Sequence, residues 1–113
     1  MMQPRFNLWI EVEGEVALSM WRVDLLKAIA ASGSINSAAE QLEIPYRTAW
    51  QKVHEMEECL GVKLLDTQIG GQHGGGARLT PAAEAYIQKL ETLYAALIPV
   101  VESTYRQIFE RKD

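Results

Sequence analysis

Between residues 46 and 54 the sequence places six side chains that can bond nucleic acid at short intervals: Tyr46, Arg47, Thr48, Gln51, Lys52 and His54. An arginine can donate paired hydrogen bonds to guanine O6 and N7, and a glutamine amide can pair with an adenine edge. The hydroxyls of Tyr46 and Thr48 can reach bases or phosphates, and Lys52 suits a phosphate as a point charge. Helical spacing puts Tyr46, Arg47, Gln51 and His54 on one exposed face. The plain alternative is a solvated polar face on a surface helix. Trp50 falls at the edge of that face. It can stack at a nucleic-acid backbone or pack against neighbouring structure, and packing is the favoured expectation.

These residues need a helix to hold them, and the flanking pattern supplies one. Ala49, Val53, Met56 and Leu60 recur at helical intervals and form an inner face, with Pro45 at the first position and Gly61 as the stop. Before it comes a shorter helix, started by Ser34 or Asn36, with Ile35, Ala38, Ala39 and Leu42 inside; Glu43-Ile44-Pro45 is the connector. Ser34 and Ser37 sit at that helix start, where they can contact a phosphate or merely cap. The pair spans 34–60 and reads as a helix-turn-helix. A first helix precedes it, capped by Ser19, with Trp21, Leu25, Leu26 and Ile29 at helical spacing and Gly33 closing it.

Residues 6–18 alternate apolar and polar side chains around Glu13-Gly14-Glu15, as a β-hairpin does. Residues 62–79 read as a second hairpin, a wing: a strand over Val62–Asp66, a return over Ala77–Leu79, and five glycines among residues 68–76 between them. Gln72, His73 and Arg78 are its candidate contacts to nucleic acid, since glycines allow close approach to a backbone or minor groove. No Gly-Lys-Ser/Thr follows the glycines, which excludes a P-loop. A last helix over 81–111, capped by Thr80, carries a heptad-like seam that includes Ile87, Leu90, Tyr94, Leu97, Val101 and Ile108. Such a helix is too long to bury against one small domain, so a second copy is expected along it. Pro99 is expected to kink or open it.

The whole is one domain of 113 residues, α+β in class: a winged helix-turn-helix with an N-terminal β-hairpin and a long C-terminal dimerisation helix. Net charge is −4 and the sequence pI is about 5.2. That balance runs against nucleic-acid binding unless the contact face is locally basic. Arg47, Lys52, Lys63 and Arg78 do fall in the proposed contact elements, while Glu11, Glu13 and Glu15 gather on the first hairpin. Glu57 and Glu58 are expected on a solvated face. One cysteine, Cys59, excludes an internal disulfide and is expected in or near the core. His54-Glu55 does not extend to a zinc-protease motif, and no catalytic constellation, metal site or cofactor is expected. No membrane span or leader is expected either, and the protein is read as cytoplasmic.

The run Ala31-Ser32-Gly33-Ser34-Ile35-Asn36-Ser37-Ala38-Ala39-Glu40-Gln41-Leu42, with Glu57 through Leu65, resembles the DNA-binding module of LysR-type regulators. Gly33-Ser34-Ile35, Ile44-Pro45-Tyr46-Arg47-Thr48-Ala49-Trp50 and the polyglycine wing leading into Leu79-Thr80 resemble the ModE-type molybdate-responsive regulators more closely. The resemblance covers most of residues 19–95. It implies a homodimer that binds double-stranded DNA at a two-fold symmetric operator and regulates transcription. In ModE-type proteins separate C-terminal domains sense the oxyanion. The sequence ends at Asp113, after the long helix, so those domains are expected to be absent and molybdate binding is not expected. One rival is a protein-interaction module that keeps the fold without DNA binding. Another is an oxyanion sensor with a pocket at the dimer interface near Pro99.

Overall fold

The computed structural model describes residues 1–68 and 76–110. Two strands open the chain, β1 (Trp9–Val12) and β2 (Glu15–Ser19), paired antiparallel with Val12 opposite Glu15. The two turn residues have positive φ, 52° at Glu13 and 84° at Gly14. That is the turn whose twist matches paired strands. In β2 the adjacent residues Ala17 and Leu18 are both buried, at the place where the register against β1 shifts by one residue.

Helix α1 runs Met20–Ser32. The Ser19 hydroxyl accepts the Arg22 N–H at 3.1 Å and fixes its start; Gly33, at φ 85°, donates to the Ile29 carbonyl and fixes its end. Its buried stripe is Arg22, Leu25, Leu26 and Ile29, with Val23 and Ala28 beside it. Trp21, expected inside, is instead 41% exposed. The stripe is centred on the spacing 22, 25, 26, 29, which leaves position 21 on the flank and sends an arginine inward.

Helix α2 is Ile35–Gln41 and α3 is Tyr46–Leu60. Ser34 caps α2 by accepting the Ser37 N–H at 3.0 Å. The connector turns on Glu43, a non-glycine residue at φ 58°. Pro45 stands one place earlier than expected, in the extended cap position before α3. Ala49, Val53 and Met56 of α3 are fully buried against Ile35, Ala38 and Ala39 of α2 and the stripe of α1. Small alanines on α2 let the two helices approach closely.

Strands β3 (Leu65–Gln68) and β4 (Gly76–Leu79) pair antiparallel, with Asp66 opposite Arg78. The pairing begins at Leu65, not Val62, for a reason that lies outside the strand. The Glu57 carboxylate accepts the N–H groups of Leu64 and Leu65, at 2.8 and 3.3 Å. Glu57 is therefore a pin between α3 and the wing, not part of a solvated face. The Ala77 N–H donates to the Gly33 carbonyl at 2.8 Å, which ties the wing root to the end of α1.

Helix α4 runs Pro81–Phe109, capped by Thr80, whose hydroxyl accepts the Ala83 N–H and donates to the Lys63 carbonyl. Ala83, Ile87 and Leu90 are buried in the core; beyond them the helix leaves the body of the protein, whose long axis measures 68 Å. Pro99 lies inside the helix, which continues past it to Phe109. Ala95, whose carbonyl loses its partner there, is exposed to water.

No helix among the described residues is long and apolar enough to cross a membrane. The architecture is the α+β winged helix-turn-helix expected from the sequence, with the long helix in place.

Candidate nucleic-acid interface

The core side of α3 is closed by Ala49, Val53 and Met56, so the opposite face is turned to solvent. Arg47, Trp50, Gln51 and Glu58 are exposed on it, with Tyr46 exposed at its start and Thr48, Lys52 and His54 half-buried. The structure therefore brings Tyr46, Arg47, Gln51 and His54 onto one accessible helix, as the spacing required.

Trp50 is half-exposed, at 45%. Its indole stacks on the His54 imidazole, with ring centroids 3.7 Å apart and 23° between planes. The two aromatic rings form a flat apolar step on the same face as Arg47 and Gln51.

Charge on α3 divides along its length. Arg47 and Lys52 lie in the N-terminal part, and Glu55, Glu57 and Glu58 in the C-terminal part. Two of those acids are occupied internally. Glu57 accepts the wing amides, and Glu55 accepts from Arg22 at 3.0 Å. Arg22 is only 9% exposed while the Glu55 side chain is 37% exposed, so this is a partly buried link from α1 to α3. Arg47 has no ion-pair partner among the described residues. Of the three acids, Glu55 is thus paired with a cation, while Glu58 stays exposed.

Lys52 differs from expectation. Its ammonium lies 3.6 Å from the Glu55 carboxylate, so it leans along the helix and shares that acid with Arg22. Ser34 is also committed: its hydroxyl caps α2 and so uses the Ser37 N–H. The Ser37 side chain remains exposed beside it. On the wing, Arg78 is exposed opposite Asp66. Gln72 and His73, the other wing candidates, lie outside the described residues.

The expected seam on α4 also divides. Ile87 and Leu90 are buried within the chain's own core, 8% and 2% exposed, because the first three turns of α4 close against α1 and the wing. They are structural positions, not contacts for a second copy. Tyr94 meets Phe6 edge-to-face, with centroids 4.8 Å apart. Leu97 and Val101 are half-buried, while Ile98, Val100, Ile108 and Phe109 are exposed.

Sequence reasoning missed Arg22, Glu55 and Glu57 as positioning residues. The spacing 22, 25, 26, 29 was a usable signal for Arg22. Glu57 had none, because its partners lie across a chain reversal at Gly61. Cys59 is half-buried, and its thiol lies 3.8 Å from the Val16 carbonyl on β2. Among the described residues no cluster of His, Cys, Asp and Glu is arranged to hold a metal.

The DNA-binding transcriptional dual regulator ModE of Escherichia coli K12 is 34% identical over 104 residues, which is 92% of this chain and 38% of that protein. The molybdenum-pterin-binding protein MopB of Rhodobacter capsulatus is 38% identical over 82 residues, 73% of this chain and 30% of that protein. The chain thus spans well under half the length of these curated relatives. Among solved structures, the CbnR DNA-binding domain in its DNA complex superposes with a TM-score of 0.58 at 19% identity, over 80% of this chain and 98% of that one. That likeness establishes the fold. The model of the family described as bacterial regulatory helix-turn-helix protein, lysR family, matches residues 21–84, from α1 through the wing to the start of α4. Since that match covers more than half of the sequence, the chain belongs to the LysR family of bacterial regulatory helix-turn-helix proteins.

Proposed function

We propose that this chain binds double-stranded DNA sequence-specifically and regulates transcription, as a homodimer on an operator of roughly two-fold symmetry. The observation that carries the reading is the N-terminal half of α3. It presents Arg47 and Gln51 exposed and side by side, while the neighbouring half-buried acids Glu55 and Glu57 are engaged by Arg22 and by the wing amides. Tyr46, Arg47, Gln51 and His54 are the base-facing side chains in this reading. Thr48, Lys52, Ser34, Ser37 and Arg78, with Gln72 and His73 of the wing, serve the phosphate backbone. ModE of Escherichia coli and the CbnR domain, named for DNA binding and solved on DNA respectively, support the same use of this fold.

Dimerisation is proposed through the outer part of α4, where Leu97, Val101 and Ile108 follow the apolar spacing beyond the core. A single acidic domain has few cations to displace counterions from DNA. Joining two sites raises affinity through effective concentration. Relatives named for molybdenum include MopB of Rhodobacter capsulatus and the molybdenum transport protein ModE of Azotobacter vinelandii. A molybdenum-related regulatory role is extended to this chain from that likeness.

The test is selection of bound sequences from a random DNA pool, followed by a mobility shift at low salt. One recurrent two-fold site is the expected result, with Arg47→Ala weakening it by roughly tenfold or more, as loss of a guanine contact does. No enriched sequence with the unaltered protein at low salt overturns the reading.

A further inference from the structure

The His54 Nδ1 lies 2.8 Å from the Trp50 carbonyl oxygen, one turn earlier on α3. A carbonyl oxygen only accepts, so Nδ1 is the ring nitrogen that carries the hydrogen. In a neutral imidazole the other nitrogen, Nε2, is then a bare acceptor. It lies on the far side of the ring from the bonded carbonyl, and no hydrogen bond engages it among the described residues. The indole of Trp50 covers the ring face at 3.7 Å between centroids. Turning the ring over to exchange the two nitrogens would break the bond to the carbonyl. The tautomer is therefore set by the helix itself.

We propose that His54 is a specificity-determining residue which reads an exocyclic amino group, adenine N6 or cytosine N4, through Nε2. This deepens the DNA-binding reading and rests on it. In the major groove those amino groups are the donors on base edges, whereas guanine N7 and O6 and thymine O4 are acceptors. A bare Nε2 against guanine or thymine sets one lone pair against another. Arg47 has the opposite character, since a guanidinium only donates. The face thus carries a donor, Arg47, and an acceptor, His54, and the pair fixes which strand bears which base. The stack on Trp50 limits where Nε2 can reach, which makes the reading positional.

The experiment runs at mildly alkaline pH, where an imidazole is neutral. Sites are selected from a random pool with the unaltered protein and with His54→Phe, which keeps an aromatic ring on Trp50 and removes both nitrogens. One base pair is expected to lose its preference in the variant while the rest of the site stays. At that pair, adenine is then replaced by purine, or cytosine by 2-pyrimidinone, which deletes only the amino group. Binding of the unaltered protein should fall by about threefold to tenfold, the range of one net hydrogen bond, and binding of His54→Phe should not change. In parallel, nitrogen NMR of the free, unaltered protein should show Nδ1 protonated and Nε2 bare, a readout that does not depend on any variant folding. The inference fails if His54→Phe selects an identical site, if deleting the amino group weakens both proteins equally, or if Nε2 carries the proton. If the unaltered protein enriches no sequence at all, the DNA-binding reading fails and takes this inference with it.

Discussion

The Arg22 Nη2 donates to the Glu55 Oε2 at 3.0 Å, joining α1 to α3 across the core. The Arg22 side chain is 11% exposed and that of Glu55 37%, so the pair straddles the protein surface. The other guanidinium nitrogen, Nη1, is buried without a hydrogen-bond partner. The arrangement is asymmetric: the arginine depends on the carboxylate more than the carboxylate depends on it. Glu55→Ala strands a buried cation, and urea unfolding should show a loss of about 2–4 kcal/mol. Arg22→Met removes the cation and its orphan nitrogen together and should cost less than Glu55→Ala. Equal losses, or a larger one for Arg22→Met, would contradict the asymmetry.

Glu57 holds two backbone N–H groups at the wing root, and both are bonds to a charged acceptor. Glu57→Ala leaves the Leu64 and Leu65 amides without that partner. A stability loss of about 1.5–3 kcal/mol is expected. Hydrogen exchange at those two amides should accelerate more than at Val53, deep in α3. Uniform acceleration across the protein would mean that Glu57 acts on the fold as a whole and not on the wing.

Two backbone positions should respond in opposite directions. Gly33 is left-handed at φ 85°, and open space surrounds the place where a Cβ would stand, so Gly33→Ala suffers backbone strain without a clash. A loss of about 1–2 kcal/mol is expected from that strain. Glu43 already bears it at φ 58° in the helix-turn-helix connector. Glu43→Gly should raise the thermal midpoint, with a gain of up to about 1 kcal/mol after the unfolded chain's added freedom is counted.

Lys27 on α1 donates to Glu91 on α4 at 2.7 Å. That hydrogen bond, and then the attraction of the same carboxylate, raises the Lys27 pKa above its ordinary 10.5. A raised lysine value means that the pair stabilises the fold fully below 10.5 and stops doing so as pH rises through the folded-state value. The difference in denaturation midpoint between the unaltered protein and Lys27→Met should therefore be constant near neutrality and shrink above pH 10.5. Both side chains are about half exposed, so added salt should shrink it as well.

On α4, position along the helix decides the outcome. Leu90→Ala empties a core site and should cost about 2–4 kcal/mol of stability. Leu97→Glu with Val101→Glu lies beyond the core and should leave the helical circular dichroism intact. On the dimer proposal, sedimentation should show the doubly substituted protein as a monomer at concentrations where the unaltered chain is a dimer. An unchanged sedimentation coefficient would place the dimer contact elsewhere.

Local chemistry in the sequence determined a good deal of this protein. Ser19 and Thr80 as caps, Gly33 and Gly61 as stops, and Glu13-Gly14 as a turn were legible, because each is settled by a few adjacent residues and the backbone angles they tolerate; at α2 the sequence left Ser34 and Asn36 open, and the structure makes Ser34 the cap. The exposed face of α3 was legible too, since Ala49, Val53 and Met56 fix which side is buried. What the tertiary structure alone decided is how that face is furnished. Trp50 turned out to be half-exposed and stacked on His54, one turn further along the same helix. Glu55 and Glu57 became internal partners of Arg22 and of the wing, contacts that join segments 33 and 7 residues apart. Ile87 and Leu90 went to the core although they share a period with Leu97 and Val101. A repeat specifies a face, but only the neighbouring elements determine how far along the helix that face is covered.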